Sequence, residues 1–145
     1  MNKFYSLIVA ALLVVVPAAA DHYRPIHERD LPRAARELLA QHFADLPVAY
    51  IAVDRDLFDR EYKVVLDNGT SLEFDKSGRW KEIDGKRSPL PEALIPEEIL
   101  RSVAARFEGR AVQKIERDRH GYEVLLEGGI DLEYTHRFRL IEVDD

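Results

Sequence analysis

From Pro32 onward the sequence can be laid over itself. A shift of 64 residues brings Pro32 onto Pro96, Ala40 onto Ala104, Phe43 onto Phe107, Val48 onto Val112, Ile51 onto Ile115, and Asp54-Arg55 onto Asp118-Arg119. The match breaks near Leu57–Arg60, where the first copy has four extra residues, and resumes with a shift of 60. Tyr62, Val64 and Leu66 then meet Tyr122, Val124 and Leu126, and Gly69 meets Gly129. Leu72-Glu73-Phe74 meets Leu132-Glu133-Tyr134, Arg79 meets Arg139, and Glu82-Ile83-Asp84 meets Glu142-Val143-Asp144. Self-similarity at a fixed period predicts one supersecondary unit used twice, each copy helping to bury the other's apolar side.

Each copy opens with helical spacing. Leu31, Ala35, Leu38, Leu39 and Phe43 form one apolar stripe; Ile95, Ile99, Val103 and Phe107, widened by Leu100 and Ala104, form another. Pro32 and Pro96 suit a first turn, where a missing N–H costs nothing, and Glu97 and Glu98 complement the positive helix end. Alternation then predicts strands at Tyr62–Leu66 and Ser71–Phe74, joined by Asn68-Gly69 as a tight turn with positive φ angles, and at Tyr122–Leu126 and Ile130–Tyr134, joined by Gly128-Gly129. Shorter strands are expected near Tyr50–Val53, Arg79–Ile83, Val112–Glu116 and Phe138–Val143. The result is an α+β fold of two tandem α-β4 units, residues 31–87 and 95–145, separated by a linker at 88–94. Residues 21–30 lack periodicity and are expected to be a mobile lead-in.

Side chains change face at every strand residue. Val64, Leu66, Leu72 and Phe74, with Val124, Leu126, Leu132 and Tyr134, therefore belong to the buried side, beneath the helices. Lys63, Val65, Glu73, Glu123, Leu125 and Glu133 belong to the opposite, open face. A one-sided sheet is ordinary for an antiparallel α+β protein.

The Tyr-x-Val-x-Leu strand, the Asn-Gly turn, Leu72-Glu73-Phe74-Asp75, Gly78-Arg79-Trp80, and the helices beginning Leu31-Pro32 and Ile95-Pro96-Glu97-Glu98-Ile99 occur in a definite order. In that order they resemble the PepSY-like, beta-lactamase-inhibitor-like family of small exported bacterial proteins, over roughly Leu31 to Val143. The resemblance implies tandem α-β4 repeats with helices on one face of an antiparallel sheet, similar to the fold of the beta-lactamase inhibitory protein. That protein carries disulfides within its repeats, whereas this chain has no cysteine. No loop matches its inhibitory contacts, so the resemblance implies architecture and an exposed binding sheet rather than inhibition of a beta-lactamase.

Met1-Asn2-Lys3, the apolar run Leu7–Val16 and Ala18-Ala19-Ala20 before Asp21 read as a signal peptide over residues 1–20, cleaved near Ala20. The run is shorter than the ~20 residues a spanning helix needs. The expected address is periplasmic or secreted, with no membrane insertion after cleavage. Loss of Lys3 takes the formal charge from −6 to −7. An acidic chain with interspersed cations lacks the clustered Lys and Arg that nucleic-acid phosphates demand.

No catalytic motif is present. The five histidines, His22, His27, His42, His120 and His136, never fall three or four residues apart, and there is no Gly-x-Ser-x-Gly, phosphate-binding or dinucleotide-binding pattern. A non-enzymatic protein without a cofactor is expected. Asp54, Asp56, Asp59 and Glu61 around the insertion offer hard oxygen donors for Ca²⁺, although the EF-hand glycine and terminal glutamate are missing and Arg55 and Arg60 offset the charge. Leu57-Phe58 at the same tip, without counterparts in the second copy, either tucks against the sheet or projects as a binding prong. Trp80, aligned with Leu140, poses the same choice. The leading expectation is a module that binds a protein or peptide through its open sheet face, in an inhibitory or regulatory role. The alternative is a protein responsive to a divalent metal or small ligand through the acidic insertion around Asp54–Glu61.

Overall fold

A computed structural model describes residues 22–56 and 59–145. Within them lie nine strands and two α-helices. The strands are β1 (Tyr23–Pro25), β2 (Val48–Arg55), β3 (Arg60–Leu66), β4 (Ser71–Phe74), β5 (Trp80–Asp84), β6 (Val112–Arg117), β7 (Gly121–Leu126), β8 (Ile130–Thr135) and β9 (Leu140–Asp144). Helix α1 (Arg33–His42) precedes β2, and α2 (Glu97–Arg106) lies between β5 and β6. The sheet runs in chain order from β1 to β9, with every neighbouring pair antiparallel.

Local sequence explains the elements. Pro32 and Pro96 occupy the N-cap positions, one residue ahead of the first turn, and their carbonyls accept from the Arg36 and Leu100 N–H groups at 3.1 Å. Ala35 and Leu39 of α1 and Ile99 and Val103 of α2 are buried with Val64, Leu66, Leu72, Phe74, Ile83, Ile115, Val124, Leu126, Leu132 and Tyr134 in one cluster. Both helices therefore cover the same face of the sheet, and the buried strand residues are those the alternation selected. Each such aliphatic side chain removed from water contributes about 1.5–3 kcal/mol.

Two details differ from expectation. The segment read as a lead-in carries an edge strand: Tyr23, Arg24 and Pro25 pair with Asp54, Val53 and Ala52. Three residues are too few for periodicity to announce them. The turn at Asn68-Gly69 has only Gly69 at positive φ, +87°. Leu66 and Thr70 flank a three-residue loop, in which the Gly69 N–H donates to the Leu66 carbonyl at 2.9 Å and the Asn68 side-chain oxygen accepts from the Thr70 N–H at 3.0 Å. This is the longer hairpin solution with a left-handed glycine, rather than the two-residue turn.

Candidate binding face

Cross-strand register turns the open face into ordered rows. Lys63 on β3 lies opposite Glu73 on β4, which lies opposite Glu82 on β5. Glu82 faces Glu116, Glu116 faces Glu123, Glu123 faces Glu133, and Glu133 faces Glu142. Six adjacent strands thus each contribute one glutamate to a single transverse row. A second row runs Tyr50, Val65, Ser71, Asp84, Lys114, Leu125, Asp131, Asp144.

Cations cover only one side of this face. Lys63 Nζ lies 3.9 Å from Glu73, and Lys81 Nζ lies 2.6 Å from Glu61. Lys114 Nζ reaches Glu82 at 3.2 Å and Glu116 at 3.7 Å. Among the described residues, Glu123, Glu133 and Glu142 form no ion pair. Crowding is felt where the row is half-buried. Burial pushes the Glu73 carboxyl above its usual range, with Glu82 and Glu61 adding to the rise. Burial also raises Glu116; Lys114 relieves part of this, and Glu82 and Glu123 add to the rise. Like charges directly opposite on neighbouring strands destabilise a sheet by about 0.2–1 kcal/mol per pair. The unneutralised half of the row is therefore no device for stability.

The floor of this half is shallowly concave. Glu116, Glu123, Glu133, Tyr122 and Ile141 line a hollow of about 200 Å³. Ile141 owes its place to a bulge: Glu133 pairs with Glu142 and Tyr134 with Leu140, leaving Ile141 as the extra residue. Lys81 is the extra residue of a like bulge on β5, between Glu82 and Trp80.

The sequence candidates separate into groups. Lys63, Val65, Glu73, Leu125 and Glu133 are half-buried and Glu123 is exposed, together on the open face. Lys63 also lies 5.9 Å from the Tyr23 ring centroid. Trp80 is not on that face. It is 8% exposed, paired opposite Phe74 within the core cluster, and capped by Arg117, whose guanidinium carbon lies 3.8 Å from the ring centroid. Packing thus places the indole with the core side chains rather than on the open face. Leu57 and Phe58 lie outside the described residues. Asp54, Asp56, Asp59 and Glu61 are not drawn into a metal cage: among the described residues no three His, Asp or Glu side chains gather to hold an ion. Glu61, the cross-strand neighbour of Asp54, is instead engaged by Lys81 at 2.6 Å. Asp54 Oδ1 is buried without a hydrogen-bond partner among the described residues. Sequence reasoning missed Glu82, Glu116 and Glu142 as members of the face, although the Glu-x-Asp alternation around Ile83 and Val143 was a signal for two of them.

The fold and its face define a small α+β protein that presents an open, acidic antiparallel sheet. The chain belongs to the family described as "Putative beta-lactamase-inhibitor-like, PepSY-like", whose model matches residues 60–142. Solved structures resemble it closely. A "putative periplasmic protein" of the DUF2874 family from Bacteroides vulgatus is 39% identical, with a TM-score of 0.84 over 87% of this chain and 99% of that one. A "putative calcium-regulated periplasmic protein" from Bacteroides thetaiotaomicron is 37% identical, with the same TM-score and coverage. A second Bacteroides vulgatus protein, of unknown function, is 37% identical with a TM-score of 0.79 over 85% of this chain and 99% of that one. No curated protein matches the chain. Among the described residues no helix is long and apolar enough to cross a membrane.

Proposed function

We propose that this chain is an exported, non-enzymatic binding module whose acidic sheet face receives a basic segment of a protein or peptide, in an inhibitory or regulatory role. The observation that carries the reading is the row Glu116, Glu123, Glu133, Glu142, in which adjacent strands hold like charges and the last three form no ion pair among the described residues. A partner's Lys or Arg would relieve that repulsion, and charge complementarity of this kind sets specificity and association rate. The signal-like residues 1–20 and the periplasmic descriptions of the related structures support export, with cleavage near Ala20. The matched register of α1–β5 and α2–β9 supports an origin by duplication of one α-β4 unit, residues 31–87 and 95–145.

Cross-linking in periplasmic extract tests the reading. The wild-type protein should capture a partner in a salt-sensitive manner, and the triple variant Glu123→Gln, Glu133→Gln, Glu142→Gln should lose it. Equal capture by both would remove the acidic face from the account.

A second reading, response to a divalent cation, is favoured by one observation: Asp54 Oδ1, beside the insertion, is buried without a hydrogen-bond partner among the described residues. The relative described as calcium-regulated supports it. A rise in melting temperature with millimolar Ca²⁺ that Asp54→Asn abolishes would establish it, and an unchanged melting temperature would dispose of it.

A further inference from the structure

The two edges of the sheet are built differently. At one edge β1 spans three residues and ends at Pro25, which has no N–H to offer. Short, proline-bearing edges discourage further pairing. At the other edge β9 spans five residues, Leu-Ile-Glu-Val-Asp, without proline, and nothing pairs with its outer side among the described residues. Three large hydrophobic residues of the described chain are exposed, and two of them are on β9: Ile141 at 56% and Val143 at 49%. An edge strand with free backbone groups and bare aliphatic side chains is a template for another strand.

We propose that β9 accepts a tenth strand from a partner protein, an extended segment with lysine or arginine at alternate positions and small aliphatic residues between them. This rests on the reading that the acidic face binds a basic segment, and says where and how that segment lies.

Register supplies the chemistry. Glu142 is the last rung of the glutamate row and Asp144 the last of the second row, so a side chain one strand further out on the open face meets carboxylates at both positions. Val143 pairs with Leu132 on the helix-covered side, and a residue beyond it meets an aliphatic surface. Ile141 rims the hollow that contains Glu123 and Glu133, which suits a long cationic side chain with an apolar stem and a charged head. A second copy of this chain fits poorly. Antiparallel pairing centred on Glu142 would set that residue against its own twin and double a row of like charges.

The experiment uses the purified protein and two synthetic ten-residue probes, one alternating lysine and valine and the other the same peptide with every backbone nitrogen methylated. The expected result is binding of the first, about tenfold or more weaker binding of the second (about 1.4 kcal/mol or more), and slowed hydrogen exchange at residues 140–144. Equal binding of both peptides without protection of β9, still weakened by Glu123→Gln with Glu133→Gln, overturns strand addition and leaves the acidic-face reading intact. No binding of either peptide at low salt overturns both. A dimer seen by light scattering and dissociated by Val143→Lys would make a second copy the occupant, and would overturn the proposal too.

Discussion

The Arg117 side chain caps Trp80 twice over: its guanidinium carbon lies 3.8 Å from the indole centroid, and its Nε donates to the Trp80 carbonyl at 2.7 Å. Trp80 begins β5 and Arg117 ends β6, so the contact fastens the seam at which the strands before α2 meet those after it. Three strand pairs register that seam, Glu82 with Glu116, Ile83 with Ile115 and Asp84 with Lys114, one of them a pair of like charges, and the Gly85 N–H extends it by donating to the Gln113 carbonyl at 2.8 Å.

Arg117→Ala should therefore destabilise the protein by about 1–3 kcal/mol, the sum of a partly desolvated cation–π contact and one hydrogen bond. Arg117→Lys should recover only part of this, because an ammonium cannot stack and donate sideways together. Trp80 is the sole tryptophan, so urea unfolding followed by its fluorescence measures the change directly. A shift of the folded-state emission to longer wavelength should accompany Arg117→Ala.

Glu116→Gln should stabilise the protein at low salt. It removes a charge that faces both Glu82 and Glu123, at the cost of one weak contact with Lys114. The gain should be a few tenths of a kcal/mol to about 1 kcal/mol, and should shrink as salt screens the row. A denaturation midpoint that falls, or does not respond to salt, would contradict this.

The same group sets a pH dependence. Glu73 and Glu116 have carboxyls raised above the unfolded value, so between the unfolded and folded values the native state binds more protons. Their contribution to stability falls as pH rises through that window and is restored as pH falls. Asp75 and Asp84 work in the opposite sense. Burial pushes each up, but hydrogen bonds from Ser77 and Arg79 to Asp75, and from Lys86 to Asp84, hold both below their usual range. Their stabilisation is present above the unfolded value and is lost as pH falls through the folded one. The double variant Glu73→Gln, Glu116→Gln should thus exceed wild-type stability at neutral pH, with the difference vanishing below the ordinary carboxylate range. Thermal melts across pH 3–8 (roughly the range where carboxylates titrate) would check it.

Tyr134 is 2% exposed and its hydroxyl donates to Ser102 Oγ at 3.0 Å, linking β8 to α2. Tyr134→Phe should cost about 0.5–1.5 kcal/mol. Adding Ser102→Ala should cost little more, because both partners of the bond are then gone. A double-mutant cycle by urea unfolding gives the coupling.

Much of the fold was legible in the chain. The apolar stripe through Ala35 and Leu39, its equivalent through Ile99 and Val103, and the alternation in Val64–Leu66 and Leu72–Phe74 identified helices, strands and their inward faces, because each pattern is a local period imposed by backbone geometry. Strand β1 escaped because three residues carry no period and its pairing partner lies on β2, far along the chain. Trp80 was ambiguous for a related reason. The bulge at Lys81 reverses the alternation between Glu82 and Trp80, and no local pattern reports such an extra residue.

The self-matching segments, with their helical and strand periods, determined by themselves that helices would cover one side of an antiparallel sheet and that charged side chains would line the other. Those are consequences of side-chain direction within single elements. The glutamate row was decided only in three dimensions. Glu82 meets Glu116 because β5 pairs with β6 across the whole of α2, and Glu133 meets Glu142 because a bulge at Ile141 shifts the register by one. Pairing between distant strands is set by which apolar surfaces close on each other, and that balance belongs to the assembled core rather than to any segment of it.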